Sequence, residues 1–448
     1  MYKVLFLFNC KDCNNYYQSD KEGWQNLKVI YLINILLNPQ CKRVGEPPFH
    51  IGGWIEGIID GMSTFDIDIT VCSVSPRISE LIIFSDNDCQ YAIIPDDTNM
   101  QDNFRALLGI VNPDLVHILG TEMRHSLEMM KVCNPTKTLV QIQGLAGVIA
   151  PKYKVGIPEF FFKPRDLSST NNYGRSLYIE QRSLELAGER EREVLKMARH
   201  ILGHTTWDQI HAHQLAPNAQ YHKFPETLRK PFYSGHWKYE NCYPYSIFLS
   251  QAGSPIKGAH MLLRVLPDMI KQYPDLHLYI AGFCPPYNKE TSLRFETIEY
   301  YDYYRYLRSI IKANDLKDYV TFLGMINAER MKEAFLRSNV FVSCSIIENE
   351  SNSLSEAKIL GVPSVASYVG GVIDRVGHGI DGFLYPYEEP EILRYYISKI
   401  FDDQQLAQNL SNASASSAHE LHDPIIAAKV LWNIYNSVLC KNNHLTEI

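Results

Sequence analysis

The feature that most constrains this chain is an alternation of strand-like and helix-like segments that runs twice. In the first half, β-branched and aromatic runs predict strands at Lys28–Leu36, Ile67–Cys72, Tyr91–Pro95, Leu115–Gly120, Leu139–Gln143, His200–His204 and Gln220–Phe224. Helical patterns fall between several of them, as at Gly53–Met62 and Ser176–Arg199. In the second half, strands are expected at Ser246–Ser250, His277–Ala281, Val320–Leu323, Val340–Ser345, Ser364–Ser367 and Phe383–Tyr385. Helices fit at His260–Gln272, Tyr300–Asn314, Ala328–Arg337 and Leu354–Leu360. A strand that reaches the next one through a helix pairs with it in parallel, and the helices then cover both sheet faces. The expected class is therefore α/β, with two doubly wound parallel sheets. Residues 1–228 form the first domain, 229–244 an irregular linker rich in Pro, Tyr and Trp, and 245–424 the second domain. A last helix, 425–448, is expected to pack back on the first domain, with Asp423 as N-cap and Pro424 at the first helical position. Val4–Asn9 also qualifies as a first strand. Lys28–Leu36 is preferred because it leads through a loop to Gly52-Gly53 at a helix start, which leaves 1–26 as an extension.

Composition excludes several classes. Of 448 residues, 46% are hydrophobic and 21% charged, as in a globular protein. No stretch approaches the ~18–20 apolar residues of a membrane-spanning helix. A net charge of −7 argues against a nucleic-acid partner. The Val4–Phe8 run is too short for a signal-peptide core, and ten cysteines show no framework spacing. A cytoplasmic location is expected, with contact at the inner face of a membrane as a further option. Cys10-Lys-Asp-Cys13 stands alone and points to no redox or zinc site.

The most informative segment is Val340–Gly371. An apolar strand ends in the polar loop Glu348-Asn-Glu-Ser-Asn-Ser353, which opens a helix. Free amides and the dipole at a helix start favour a phosphate, while Glu348 and Glu356 suit sugar hydroxyls. An equally open reading is a capping box, Ser353-Leu-Ser-Glu356, in which Glu356 only bonds the N-cap amide.

This segment resembles the family-4 glycosyltransferases of GT-B type. The matching residues are Glu348, Glu356-Ala357, Gly361-Val362-Pro363, Gly370-Gly371 and the Val376–Leu384 stretch. Upstream they include Lys257-Gly258, Tyr273-Pro274-Asp275 with Leu278–Gly282, and Gly324. In the first half the likeness rests on Gly52-Gly53-Trp54 and Pro113-Asp114-Leu-Val-His117. The resemblance implies two Rossmann-like domains across a cleft, the donor nucleotide sugar mainly on the second and the acceptor mainly on the first. It implies that Glu356 holds the ribose and Glu348 touches the donor sugar. Ser351, Asn352 and Ser353 would meet the diphosphate by their amides, with Lys257 neutralising it. Gly52 and Gly53 would let backbone approach the same diphosphate, and Gly324 with Met325 would border the base. Retention of configuration without a catalytic metal or cofactor is implied too, with a glycan or lipid-linked oligosaccharide as acceptor. The catalytic set would be Glu348, Lys257 and Gln143. There are three departures: Gln251 stands where the family often has Arg, Gln143 where it often has His, and Asn349-Glu350-Ser351 replaces Gly-Phe-Gly. They leave open a non-catalytic binding subunit and, on the same architecture, a sugar-nucleotide epimerase.

Other patterns read as structural. Gly377-His-Gly379-Ile-Asp-Gly382 spells G-x-G-x-x-G but precedes a strand, the reverse of the dinucleotide context. His200, His204, His211 and His213 lack a zincin glutamate, and Tyr300, Tyr301, Tyr303, Tyr304 and Tyr306 spread over more than one helix face as packing residues. Lys152, Lys154, Lys163 and Arg165 around Phe160–Phe162 suggest a mobile loop that could meet a membrane surface or a lipid-linked acceptor. His117 and Glu122, placed after the strand at Leu115, are acceptor-site candidates because α/β sheets bind ligands at strand carboxyl ends.

Overall fold

The structure, a computed structural model, describes residues 26–47, 53–86, 89–162, 176–282 and 302–440. Eight strands form the first sheet: β1 (Leu27–Leu32), β2 (Ile67–Ser75), β3 (Ile82–Asp86), β4 (Cys89–Pro95), β5 (Leu115–Leu119), β6 (Thr138–Gln141), β7 (His200–Gly203) and β8 (Gln220–Lys223). Six form the second: β9 (Ser246–Leu249), β10 (His277–Ala281), β11 (Val320–Gly324), β12 (Val340–Ser343), β13 (Ser364–Ser367) and β14 (Phe383–Tyr385). Their orders are β3-β4-β2-β1-β5-β6-β7-β8 and β11-β10-β9-β12-β13-β14. Each expected strand is present within a few residues of its expected ends. The all-parallel expectation needs one correction. β3 runs antiparallel to β4 as an edge strand, with Ile82 opposite Ile93 and Asp86 opposite Cys89. Its mixed burial lacks the continuous apolar run that marks a parallel strand covered on both faces.

The first strand of each domain sits inside its sheet, flanked by β2 and β5 in one case and β10 and β12 in the other. At these positions the winding reverses and opens a crevice at the strand carboxyl ends. Two segments tie the domains together. Helix Pro424–Cys440, capped by Asp423 Oδ1 from Ile425 N (2.8 Å) and Ile426 N (3.0 Å), buries Leu431, Ile434, Tyr435 and Val438 in the core of the first domain. In the opposite sense, a segment of the first domain crosses to the second, where Tyr153, Ile157 and Phe162 join the core. Gly156 O accepts from Arg264 Nη2 (2.6 Å) and Tyr306 Oη (3.0 Å), and Val155 O lies 3.0 Å from His260 Nε2.

This corrects the expectation of a mobile basic–aromatic loop. Its described part, up to Phe162, is a packed strap, and Phe160 alone of its three phenylalanines is strongly exposed. Lys163 and Arg165 lie outside the described residues, as do Cys10, Cys13, Tyr300 and Tyr301. Tyr303, Tyr304 and Tyr306 are buried packing residues, as their helical spread suggested. No described helix is long and apolar enough to cross a membrane.

Candidate functional site

The richest concentration of polar groups lies where β9 and β12 end. Residues just past β9 (Ser250, Gln251), Lys257, and Ser345, Glu348 and 350–353 of the loop after β12 line one cavity. Backbone contact builds it. Gly258, at φ 71°, lies so close to the end of β12 that a Cβ would fall 1.8 Å from Cys344 O. That approach brings Lys257 Nζ to 2.6 Å from Glu348 Oε2, which also accepts from Ser345 Oγ at 3.1 Å. From the other side Gly371 N donates to Glu348 O (3.0 Å). A Cβ on Gly370 would fall 1.9 Å from that same oxygen. The paired glycines thus clamp the loop that carries the carboxylates.

Helix Asn352–Ile359 follows, with Ser351 at its N-cap. Its first internal bond is Ser355 N to Ser351 O (3.0 Å), so the amides of Asn352, Ser353 and Leu354 precede the helical ladder and point at the cavity end. The capping box is overturned. Glu356 is the fifth helical residue rather than the third, and Ser351 makes no side-chain cap. Instead Arg229 grips it with two bonds, Nε to Oε1 (2.6 Å) and Nη2 to Oε2 (2.7 Å). Burial raises the Glu356 carboxyl, and Arg229 pulls it back. Gly324 ends β11 with its carbonyl taking Gly282 N (3.0 Å), and Met325 beyond it is exposed.

The first domain presses on the same loop. Asn349 Nδ2 donates to Gln143 O (3.3 Å), and Asn349 Oδ1 accepts from Thr205 Oγ1 (2.7 Å). Gln143 Nε2 is buried without a hydrogen-bond partner. Arg375 forms a bidentate pair with Glu350 and also donates to His204 O (3.1 Å). Burial alone would raise the Glu350 carboxyl, but Arg375 more than offsets it and the group lies below its usual range. Burial pushes Glu226, beside this cluster, up to about 7.

The structure thus brings together Lys257, Glu348, Gln251, Ser351, Asn352 and Ser353, with the Gln143 carbonyl of the first domain touching the loop at Asn349. Gly53 starts its helix against Arg229, and Gly52 lies outside the described residues. His117 is a correction. It lies within β5, fully buried, with Nδ1 2.8 Å from Tyr435 Oη, which donates to Tyr31 Oη (2.9 Å). Burial lowers it to about 3. The apolar residues alternating around it put it in the core that the last helix covers, out of reach of an acceptor. Glu122 does follow β5. Burial raises its carboxyl, and its surroundings include Glu191, which caps Ala146 N (3.0 Å) and Gly147 N (3.2 Å).

Sequence reading missed Arg229, Glu226, Glu350 and Arg375. The one local signal was Asp374-Arg375 interrupting an apolar run. Among the described residues, no group of three or more His, Cys, Asp or Glu converges as a metal site.

Residues 241–417 match the family model described as Glycosyl transferases group 1. The D-inositol 3-phosphate glycosyltransferase of Streptomyces griseus is 31% identical over 185 residues, 41% of this chain and 37% of that protein. The chain spans less than half the length of the curated relatives it matches first. Sucrose-phosphate synthase from Thermosynechococcus elongatus superposes with a TM-score of 0.64 at 16% identity, over 93% of this chain and 100% of that one. Anabaena Alr3699/HepE, solved in complex with UDP-glucose, gives 0.58 at 15% identity, over 94% and 100%. The architecture is GT-B: two Rossmann-like domains facing across a cleft.

Proposed function

We propose, from the match of residues 241–417 of this GT-B chain to the group 1 glycosyl transferases, that the protein is a glycosyltransferase. It moves a sugar from a nucleoside diphosphate to a hydroxyl of a glycan or lipid-linked acceptor, with retained configuration and without a metal or cofactor. The observation that carries this reading is the meeting of Lys257 and Glu348 at 2.6 Å beside the free amides of a helix start. A diphosphate there gains a cation and a positive dipole end, and a sugar gains a carboxylate acceptor. Each member of the ion pair then exchanges its partner for part of one ligand.

The chemistry asked of the protein is electrostatic. The bond between the anomeric carbon and the diphosphate oxygen breaks, and the acceptor oxygen bonds to that carbon on the same face. The acceptor proton passes to the leaving phosphate oxygen. Lys257 and the amides of Asn352 and Ser353 stabilise the negative charge that develops on the leaving group. Gln143, whose carbonyl meets Asn349 of the loop and whose buried Nε2 has no hydrogen-bond partner, is assigned to the donor sugar in this reading. Glu356, gripped by Arg229, presents remaining acceptor sites to the ribose.

The test incubates the pure protein with UDP-, GDP- and ADP-sugars and measures released nucleoside diphosphate with and without glycan acceptors. Release that depends on one donor, with an α-configured donor giving an α-linked product, is expected, and EDTA should leave it largely intact. Nucleotide binding without release on any acceptor would replace the transferase by a binding subunit, and interconversion of the donor sugars would point to an epimerase.

A further inference from the structure

We infer that Arg229 is a positioning residue of the donor site, holding the Glu356 carboxylate from the interdomain linker and tying it to the seating of the first domain. This rests on the reading that Glu356 receives the nucleotide ribose. Arg229 and Glu356 are 127 positions apart and meet through two bonds of 2.6 and 2.7 Å, the parallel fork that fixes a carboxylate in angle as well as distance. The guanidinium is itself fixed, with its carbon 4.8 Å from the centre of the Phe232 ring. Its aliphatic stem runs against the start of helix Gly53–Met62. A Cβ on Gly53 would fall 2.8 Å from Arg229 Cγ, and one on Gly57 would fall 2.8 Å from Thr227 Oγ1. The linker therefore lies in a groove that the two missing side chains leave open. One arginine touches the acceptor-side domain with its stem and the donor-side domain with its head.

A side chain 3% exposed such as that of Glu356 would ordinarily surrender its charge to burial. Arg229 opposes this, and the titratable and charged groups that face Glu356 are Arg229 and, on the short helix Lys230–Tyr233, Tyr233. A carboxylate in a bidentate pair still has lone pairs to spare, so Arg229 and two ribose hydroxyls can share it. Removing the arginine takes away the group that opposes burial, so the Glu356 carboxyl moves further up toward its neutral form, a weaker acceptor for hydroxyl groups, and is free to turn. The effect on nucleotide affinity must then depend on pH, which simple loss of packing does not produce.

The experiment is calorimetric titration of the whole protein with UDP, GDP and ADP from pH 6 to 9, reading the ratio of variant to wild-type Kd so that ionisation of the nucleotide cancels. At pH 6.5 Arg229→Gln should bind the preferred diphosphate roughly tenfold more weakly, the difference between a charged and a neutral acceptor. The ratio should shrink toward pH 9 as Glu356 ionises. Arg229→Gln combined with Glu356→Gln should be weak with a flat ratio. Arg229→Lys, which keeps the charge but not the fork, should lose affinity a few-fold with no pH trend, and it serves where the Gln variant fails to fold. An unchanged ratio in Arg229→Gln, a loss that stays constant with pH, or wild-type affinity in Arg229→Lys would each overturn the inference. Tighter binding in Arg229→Gln would do so too, by making Arg229 a competitor for the ribose site. Wild-type protein that binds none of the three diphosphates would bring down the donor-site reading itself, an outcome distinct from all of these.

Discussion

Two carboxylates on one loop, Glu348 and Glu350, are each paired with a cation and yet are built for different tasks. Glu348 and Lys257 are 11% and 27% exposed, joined by a single bond at the cavity edge. Glu350 and Arg375 are 3% and 4% exposed, joined by a fork and backed by His204 O from the first domain. A lysine at a partly open pair can turn to another anion at little cost, because water and ligand are both at hand. A buried arginine fork cannot, since parting it strands a charge in low dielectric. In the proposed donor site the first pair is the one that opens to the ligand, and the second is the anchor that holds the loop in register.

The largest expected effect breaks the anchor. Arg375→Ala leaves Glu350 buried and uncompensated, which should cost about 3–5 kcal/mol in a denaturant titration. The same change at the open pair should leave stability nearly untouched. Lys257→Ala should instead slow turnover by about 100- to 1000-fold, the scale of losing one charge-stabilising donor, with an unaltered melting curve. If Lys257→Ala melts as early as Arg375→Ala, the distinction between the pairs fails.

A smaller effect concerns the region beside the anchor. The folded state raises Glu226 from 4.5 to about 7, so it holds a proton that the unfolded chain releases. The stability this acid contributes is present below pH 4.5 and is lost as pH rises through 7. Glu226→Gln should therefore gain on the wild type between pH 5 and 8 when both are unfolded with urea, and a gap constant with pH would refute this. The smallest effect tests the corrected position. His117→Phe should cost about 1–2 kcal/mol through the Tyr435 hydroxyl it leaves with fewer partners, while nucleotide affinity stays at the wild-type value.

Much of this was legible before any coordinates. The winding of both sheets followed from alternation, and the tight approach of Gly370-Gly371 to Glu348 O gives a physical reason for the glycines of the family motif. The antiparallel β3 was not legible, because a half-buried edge strand carries a weak apolar signal. Nor was the strap: the segment read as a surface loop until His260, Arg264 and Tyr306 supplied partners for the carbonyls of Val155 and Gly156 from more than a hundred positions away. His117 misled because a histidine near a strand end suggests chemistry. Only the last helix, arriving 318 positions later with Tyr435, made it a core residue.

By itself the sequence determined which elements form and where the polar loop opens a helix, because both depend on periodicity and on residues near one another in the chain. Tertiary structure alone decided which charge meets which. Glu356 is held by Arg229, Glu350 by Arg375 and Glu348 by Lys257, over separations of 127, 25 and 91 positions. Burial, not residue type, then separates an exchangeable pair from an anchor. The energy of a charge depends on its solvation and on its partner, and both exist only once the chain has folded.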